Sequence, residues 1–190
     1  MSPWIRRLSA IVGHDVDCNL LMVGLPNSGK TTLMKQLKPR NKNLDIIQPP
    51  IENECSTLSG FWFDRVSIKA FNLCTSITSH IGCAWEELYL TSNAFIFTIN
   101  SADRLTMHLN GEYLQKVISK VKENRPILIL VTKYDYGDEM NDLQILNSLN
   151  IPRFMGPRRW RCVTVDLTTG EGLNDAFDWL ANEIRKVTFN

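Results

Sequence analysis

The densest run of chemistry-bearing residues is Gly24-Leu25-Pro26-Asn27-Ser28-Gly29-Lys30-Thr31-Thr32. It follows a continuously apolar run, Asn19 to Val23, and opens a segment of helical character, Lys30 to Leu37, so it falls at a strand-to-helix turn. Gly24 and Gly29 let the backbone curl until successive N–H groups point inward, and the helix start adds its partial positive charge. Gly24, Asn27, Ser28, Gly29, Lys30, Thr31 and Thr32 therefore read as a phosphate-binding loop. In that reading the Lys30 amine reaches β- and γ-phosphates and the Thr31 hydroxyl ligates Mg²⁺. The plain alternative, a Gly-rich turn with a solvated lysine, does not account for the strand before it and the helix after it.

About 100 residues further on, the apolar run Ile127 to Val131 ends in Thr132-Lys133-Tyr134-Asp135. The carboxyl end of such a strand is where ligands of open α/β sheets sit. A carboxylate at Asp135 can accept hydrogen bonds from N1 and N2 of guanine while Lys133 lies along the base plane, and adenine lacks that donor pair. Alone, a Lys and an Asp in a loop would be a solvated turn. A third segment, Asp166-Leu167-Thr168 after the run Cys162 to Val165, stands where backbone amides of Leu167 and Thr168 can cover a base.

These residues need a scaffold, and the remaining pattern supplies one. Asn19 to Val23, Ala94 to Ile99, Ile127 to Thr132 and Cys162 to Val165 are apolar without alternation, as in parallel strands buried on both faces. Helical segments lie between and after them: Lys30 to Leu37, a helix around Glu86 to Leu90, Arg104 to Lys122, Met140 to Leu149 and Asn174 to Val187. Leu114, Val117, Ile118 and Val121 form one apolar stripe, and Leu173, Phe177, Leu180 and Ile184 another. Leu58 to Phe63 and Val66 to Leu73, separated by Asp64-Arg65, predict a hairpin. The expectation is an α/β fold with a mostly parallel, six-stranded sheet, one antiparallel hairpin strand and helices on both faces. Lys38 to Glu54, with Pro39, Pro49 and Pro50, reads as a long loop that is functional or mobile.

Composition removes other classes. The chain has 190 residues, 44% of them hydrophobic and 22% charged, which suits one folded domain rather than a disordered or fibrous chain. A net charge of +1 provides no global field for nucleic acid or an anionic surface. The Arg153, Arg158, Arg159, Arg161 cluster is read as a solvated face. Five cysteines (Cys18, Cys55, Cys74, Cys83, Cys162) include no close pair, and the histidines His14, His80 and His108 share no ligand spacing, so neither a disulfide framework nor a zinc site is expected. Leu88 to Ala102 is the most apolar long stretch and is broken by Thr91, Ser92, Asn93 and Asn100, so no membrane span is expected. A cytoplasmic monomer is the resulting expectation.

With these motifs in place, the chain resembles the Arf-like branch of the Ras-type small GTPases. Relatives there carry a P-loop that begins Gly-Leu and ends Gly-Lys-Thr-Thr, and the spacing to Thr132-Lys133-Tyr134-Asp135 and to Gly170-Glu171-Gly172-Leu173 is also similar. Phe177-Asp178-Trp179-Leu180 looks like the family's last helix. The resemblance implies a P-loop NTPase (Ras-like) fold, GTP or GDP with Mg²⁺ as cofactors, effector or regulator proteins as partners, and a role in signalling or membrane trafficking. The family's Asn-Lys-x-Asp motif has Thr132 in place of the asparagine that buttresses the P-loop, and weakened affinity follows from that exchange.

The switch regions depart further. Where the family has Pro-Thr-Ile in the first switch, with a threonine that ligates Mg²⁺ and senses the γ-phosphate, this chain reads Pro49-Pro50-Ile51, and Pro50 has neither hydroxyl nor N–H. The second switch, Asp-x-Gly-Gly-Gln in the family, reads Asn72-Leu73-Cys74-Thr75-Ser76. Asn72 replaces the carboxylate behind the Mg²⁺ water shell, Thr75 the glycine that swings to the γ-phosphate, and Ser76 the water-orienting glutamine. Catalytic residues are therefore unassigned, and slow or absent hydrolysis is expected. Two further readings stand beside this one: a pseudo-GTPase scaffold that presents its hairpin and loop to a partner, and a small P-loop kinase, which lacks an evident second substrate site.

At the start of the chain Trp4, Ile5, Leu8, Ile11 and Val12 line up at helical spacing. The expected organisation is an amphipathic helix over 1–17 and a nucleotide-binding domain over 18–190. The helix would touch a membrane, or pack on the domain's own surface or in a groove of a partner, and Ser2 in place of Gly removes the myristoylation signal, so membrane contact would be weak and peripheral.

Overall fold

The structure is a computed structural model, and its described residues are 6, 10, 18–38, 45–47, 57–63, 66–72, 88–133 and 139–188. The strands are β1 (Cys18–Gly24), β2 (Asp45–Ile47), β3 (Thr57–Phe63), β4 (Val66–Asn72), β5 (Ala94–Asn100), β6 (Ile127–Lys133) and β7 (Trp160–Asp166). The helices are α1 (Lys30–Leu37), α2 (Met107–Lys120), α3 (Asp142–Ser148), α4 (Ile151–Met155) and α5 (Leu173–Thr188). The strands form one sheet in the order β2-β3-β4-β1-β5-β6-β7. β3 runs antiparallel to both its neighbours, and all other pairings are parallel.

The sheet therefore has seven strands rather than the six expected from the sequence. The additional one is β2, inside the segment read as the Lys38 to Glu54 loop. Three residues are too few to show a period, and β2 is defined by its register against β3, with Asp45 opposite Gly60 and Ile47 opposite Leu58. The helix expected around Glu86 is described only at residues 88–91. Trp4, Ile5, Leu8, Ile11, Val12, Pro50, Thr75, Ser76 and Asp135 lie outside the described residues.

Alternation along the central strands splits the core between the two faces. Leu20 and Met22 of β1 pack with Leu33, Met34 and Leu37 of α1 and with Leu173, Phe177, Leu180 and Ile184 of α5. Leu21 and Val23 pack on the other face with Leu114, Val117 and Ile118 of α2, Ile145 of α3 and Ile151 of α4. Each such side chain contributes about 1.5–3 kcal/mol by leaving water. Gly111 in the middle of α2 is buried, and a Cβ there would lie 3.4 Å from Leu149 Cδ2, so the position accommodates a small side chain only in ordinary contact.

Helix ends follow their local chemistry. α2 begins at Met107 rather than Arg104, because Asp103 turns back onto Thr106, accepting from its amide at 3.2 Å and its hydroxyl at 2.6 Å. α3 begins at Asp142 with a capping box: Asn141 Oδ1 accepts from the Gln144 amide at 2.8 Å, and Gln144 Oε1 accepts from the Asn141 amide at 3.0 Å. Arg158 is not merely part of a solvated face, since its guanidinium donates to Val121 O and Lys122 O, both at 3.0 Å, just past the end of α2.

Candidate functional site

The carboxyl ends of β1, β5, β6 and β7 converge on the loop between β1 and α1. Parallel pairing sets this up: Gly24 is in register with Thr98, Thr98 with Leu130, and Thr132 with Val165. Ligands of open α/β sheets bind at this edge.

The loop is held from inside by its own lysine. Lys30 is 2% exposed, and its ammonium donates to Leu25 O at 2.6 Å, Gly24 O at 2.9 Å and Ser28 Oγ at 3.2 Å. All three N–H groups are thus engaged by the loop that the lysine follows. Burial lowers its pKa from 10.5 to about 8, because a desolvated ammonium is disfavoured against the neutral amine. An anion at the loop would restore that charge.

Two glycines make the curl possible. Gly29 caps α1 with φ 86°, in the left-handed region, where a Cβ would lie 2.8 Å from Leu167 Cδ1 and 3.0 Å from Thr132 Cγ2. Gly24 has φ 153°, and a Cβ there would overlap Thr98 Oγ1 and approach Ser28 Oγ at 2.8 Å. Leu33 N donates to Gly29 O at 2.9 Å as the helix begins. Thr31 and Thr32 in the first turn are exposed, which leaves the Thr31 hydroxyl accessible to a cation at the helix start. The geometry suits a polyphosphate with Mg²⁺: a backbone curl too tight for side chains, a buried amine and an exposed hydroxyl next to it.

Of the residues singled out by sequence, the structure brings Ser28, Gly29, Lys30, Thr132 and Leu167 together. Thr132 is fully buried, and its hydroxyl lies 3.4 Å from Ser28 O and 3.2 Å from Ile99 O. It therefore still buttresses the loop, through a long bond. Ser101 fixes the same residue from the other side, its hydroxyl donating to Thr132 O at 2.9 Å. Lys133 is exposed at the end of β6. Leu167 is buried under Gly29, and Thr168 is exposed. The amides of Thr168 and Thr169 donate to Asp166 Oδ1 at 2.6 and 3.2 Å, so they are engaged within the turn after β7. Those bonds, that from the Thr168 amide foremost, hold the Asp166 carboxyl below its ordinary value.

Three residues at this edge were not singled out by sequence: Thr98, Asn100 and Ser101. Thr98 is fully buried and lies 2.6 Å from Ser28 through its hydroxyl. Asn100 donates to Asn27 O at 3.4 Å and accepts from the Ala102 amide at 2.9 Å. The available signal was polarity in an otherwise apolar strand, because a buried hydroxyl has to have a partner. Among the described residues no group of His, Cys, Asp and Glu is arranged to hold a metal ion, and no helix is long and apolar enough to cross a membrane.

Comparison with known proteins adds the family. ADP-ribosylation factor-like protein 6 of Danio rerio is 31% identical over 174 residues, 90% of each chain. ADP-ribosylation factor K of Dictyostelium discoideum is 30% identical over 185 residues, 97% of this chain and 94% of that one. Among solved structures, the Arl6 BBS3 small GTPase of Trypanosoma brucei with bound nucleotide analogue GppNp superposes with a TM-score of 0.68 at 23% identity, covering 90% of this chain and 99% of that chain. An ADP-ribosylation factor-like GTP-binding protein (small COPII coat GTPase SAR1) of Encephalitozoon cuniculi in complex with GDP gives 0.75 at 18% identity, covering 98% and 87%. These two carry the same P-loop fold. The model of the ADP-ribosylation factor family matches residues 5–184, and with the relatives above it places this chain in that family, as a divergent Arf-like small GTPase.

Proposed function

We propose that this protein binds GTP and GDP with Mg²⁺ through Gly24, Asn27, Ser28, Gly29, Lys30, Thr31 and Thr32, holds the base between Lys133, Asp135 and the turn at Leu167 and Thr168 with Thr132 as the buttress behind the loop, and hydrolyses GTP slowly or not at all. The observation that carries the binding half is the buried Lys30 ammonium inside a glycine-curled loop. Lys30 would pair with β- and γ-phosphates, and the exposed Thr31 hydroxyl would hold Mg²⁺. The cation supplies neutralisation of phosphate charge when bound. The residues of this chain do the rest: the loop fixes the phosphates, Thr132 holds the loop against β5 and β6, and Asp135 selects guanine.

The weak-hydrolysis half is carried by residue identity. In enzymes of this kind catalysis is positioning and electrostatics, and Pro50, Asn72, Thr75 and Ser76 lack the hydroxyl, carboxylate, glycine and amide that do this work in the family. The same residues would make the extra contacts of the GTP state, so GTP and GDP bind with similar affinity in this reading. The replaced switches also favour a scaffold role, in which the nucleotide stabilises a surface that partners read. Residues 1–17 act as a separate amphipathic helix that makes weak peripheral contact with an intracellular membrane or a protein groove, and the domain over 18–190 works in the cytoplasm as a monomer.

Nucleotide content after purification and single-turnover GTP hydrolysis on one preparation test both halves. The expected result is retained guanine nucleotide with a single-turnover rate well below that of an intact small GTPase. An empty, non-binding protein overturns the first half. A rate matching an intact enzyme, or strong GTP-specific protection from hydrogen exchange across 38–76, overturns the second.

A further inference from the structure

The strand β5 is apolar from Ala94 to Ile99 except at Thr98, which is fully buried beneath the P-loop. A hydroxyl there costs free energy unless it is bonded, and two oxygens account for it. Thr98 Oγ1 donates to Val23 O at 3.3 Å and lies 2.6 Å from Ser28 Oγ, which in turn receives Lys30 Nζ at 3.2 Å. The two ends fix the direction of this row. The ammonium can only donate and the Val23 carbonyl can only accept, so the proton between the hydroxyls belongs to Ser28. The order is Lys30 to Ser28, Ser28 to Thr98, Thr98 to Val23. Reversing the Ser28–Thr98 bond would leave Thr98 without a proton for Val23 O and the Ser28 proton without an acceptor in this row.

The glycine at the head of the loop belongs to the same arrangement. A Cβ on Gly24 would overlap Thr98 Oγ1 and crowd Ser28 Oγ, so the bare backbone of Gly24 is what lets the strand hydroxyl reach the loop hydroxyl. Thr132, at 3.4 Å from Ser28 O, makes a longer contact to the same residue from the next strand. Ser28 is therefore held from β5 by its side chain at 2.6 Å and from β6 by its carbonyl at 3.4 Å.

We propose that Thr98 is a positioning residue of the nucleotide site: it anchors the P-loop to β5 through Ser28 and orients the Ser28 hydroxyl so that its lone pair faces the Lys30 ammonium. This anchor is the shorter of the two ties that hold Ser28 to the neighbouring strands β5 and β6, and it offsets the long Thr132 contact. The proposal rests on the nucleotide-binding reading for its effect on ligand release, and on the loop alone for its effect on the empty protein. Thr98 does not touch the nucleotide; it acts through Ser28 and Lys30.

The test uses the full chain with Thr98→Val, which keeps the β-branched shape and removes the hydroxyl, Thr98→Ser, which keeps the hydroxyl, Ser28→Ala, and the Thr98→Val/Ser28→Ala double variant. Release of fluorescent (mant) GDP and amide exchange of residues 24–32 in nucleotide-free protein are measured for each. Loss of one buried hydroxyl partner predicts release about tenfold faster in Thr98→Val. Ser28→Ala should match it, the double variant should be no faster than either single, and Thr98→Ser should stay within about twofold of the parent. Amide exchange of the empty loop should rise in Thr98→Val and Ser28→Ala and not in Thr98→Ser. If Thr98→Val does not fold, Ser28→Ala and Thr98→Ser carry the same comparison. Unchanged release and exchange in Thr98→Val, or effects of the two single variants that simply add, overturn the anchor. Failure of the parent to bind mant GDP overturns the nucleotide reading, and the exchange comparison still decides the anchor.

Discussion

If Lys30 holds phosphate, nucleotide binding takes up protons at mildly alkaline pH. Burial lowers the amine from 10.5 to about 8 in the ligand-free protein, and phosphate beside it returns the charge. Below pH 7 the amine is charged with or without ligand, so affinity does not change with pH there. Above pH 8 the free protein is neutral at Lys30 and has to be recharged on binding, so affinity falls, by about tenfold between pH 7 and pH 9; an amine with its ordinary pKa would give a change of only a few per cent. The stability of the empty protein has the opposite slope. A lowered lysine pKa disfavours the charged native state, by about 3 kcal/mol below pH 8, and that penalty is relieved as pH rises from 8 towards 10.5. Calorimetric titration with GDP and Mg²⁺ at pH 8, in two buffers of different ionisation heat, should report uptake of about half a proton per nucleotide. Lys30→Arg, which stays charged, supplies the baseline for titration of the ligand itself. Uptake below about 0.1 proton at pH 8, together with undiminished affinity at pH 9, would refute the assignment of a depressed, phosphate-facing amine.

Gly29→Ala forces a left-handed alanine against Leu167 and Thr132 and should lower stability by about 2 kcal/mol, read as a melting temperature roughly 4–8 °C lower. Asp135→Asn should shift preference from guanine towards xanthine nucleotides, since an amide donor faces the N2 group of guanine; equal affinity of the parent for ATP and GTP in competition would sink the base assignment. Replacing Trp4 and Leu8 by Asp should leave nucleotide binding unchanged and abolish liposome association, and absence of liposome binding by the parent in either nucleotide state removes the membrane role.

The strands β1, β5 and β6 and the helices α1, α2 and α5 were legible because continuous apolar runs and 3.6-residue stripes are long enough to carry a period. β2 and α4 were not, being three and five residues long, and α4 starts at Ile151, with Pro152 second, after a left-handed Asn150 whose side chain makes no cap. The phosphate loop was legible residue by residue, because glycines, lysine and threonine are each required by the chemistry of that turn. The residues that hold it in place were less so. Thr98 looked like one more β-branched residue in a strand, and only the register Gly24 against Thr98 shows that its hydroxyl meets the loop. A threonine is compatible with an apolar strand by propensity, so its polarity is a weak signal until the partner is known.

The two halves of the proposed site depend on different kinds of structure, and on that reading one could persist while the other is lost. Thr98 and Thr132 stand on adjacent strands of the central sheet, Lys30 opens α1 beside them, and all three are satisfied by bonds to backbone oxygen or a neighbouring hydroxyl. Those contacts form without a γ-phosphate and stabilise the fold itself. In the proposed alignment the positions that distinguish GTP from GDP in the family fall at Pro50 and from Asn72 to Ser76, and their value lies only in the difference between two bound states. A ligand shifts a conformational equilibrium by its differential affinity and by nothing else, so in the proposed reading a chain with proline at the first switch would bind both nucleotides through what they share. In the function proposed above, nucleotide would act as a structural ligand: it would satisfy the Lys30 charge and hold the loop, and the surface offered to partners would be the same in either state.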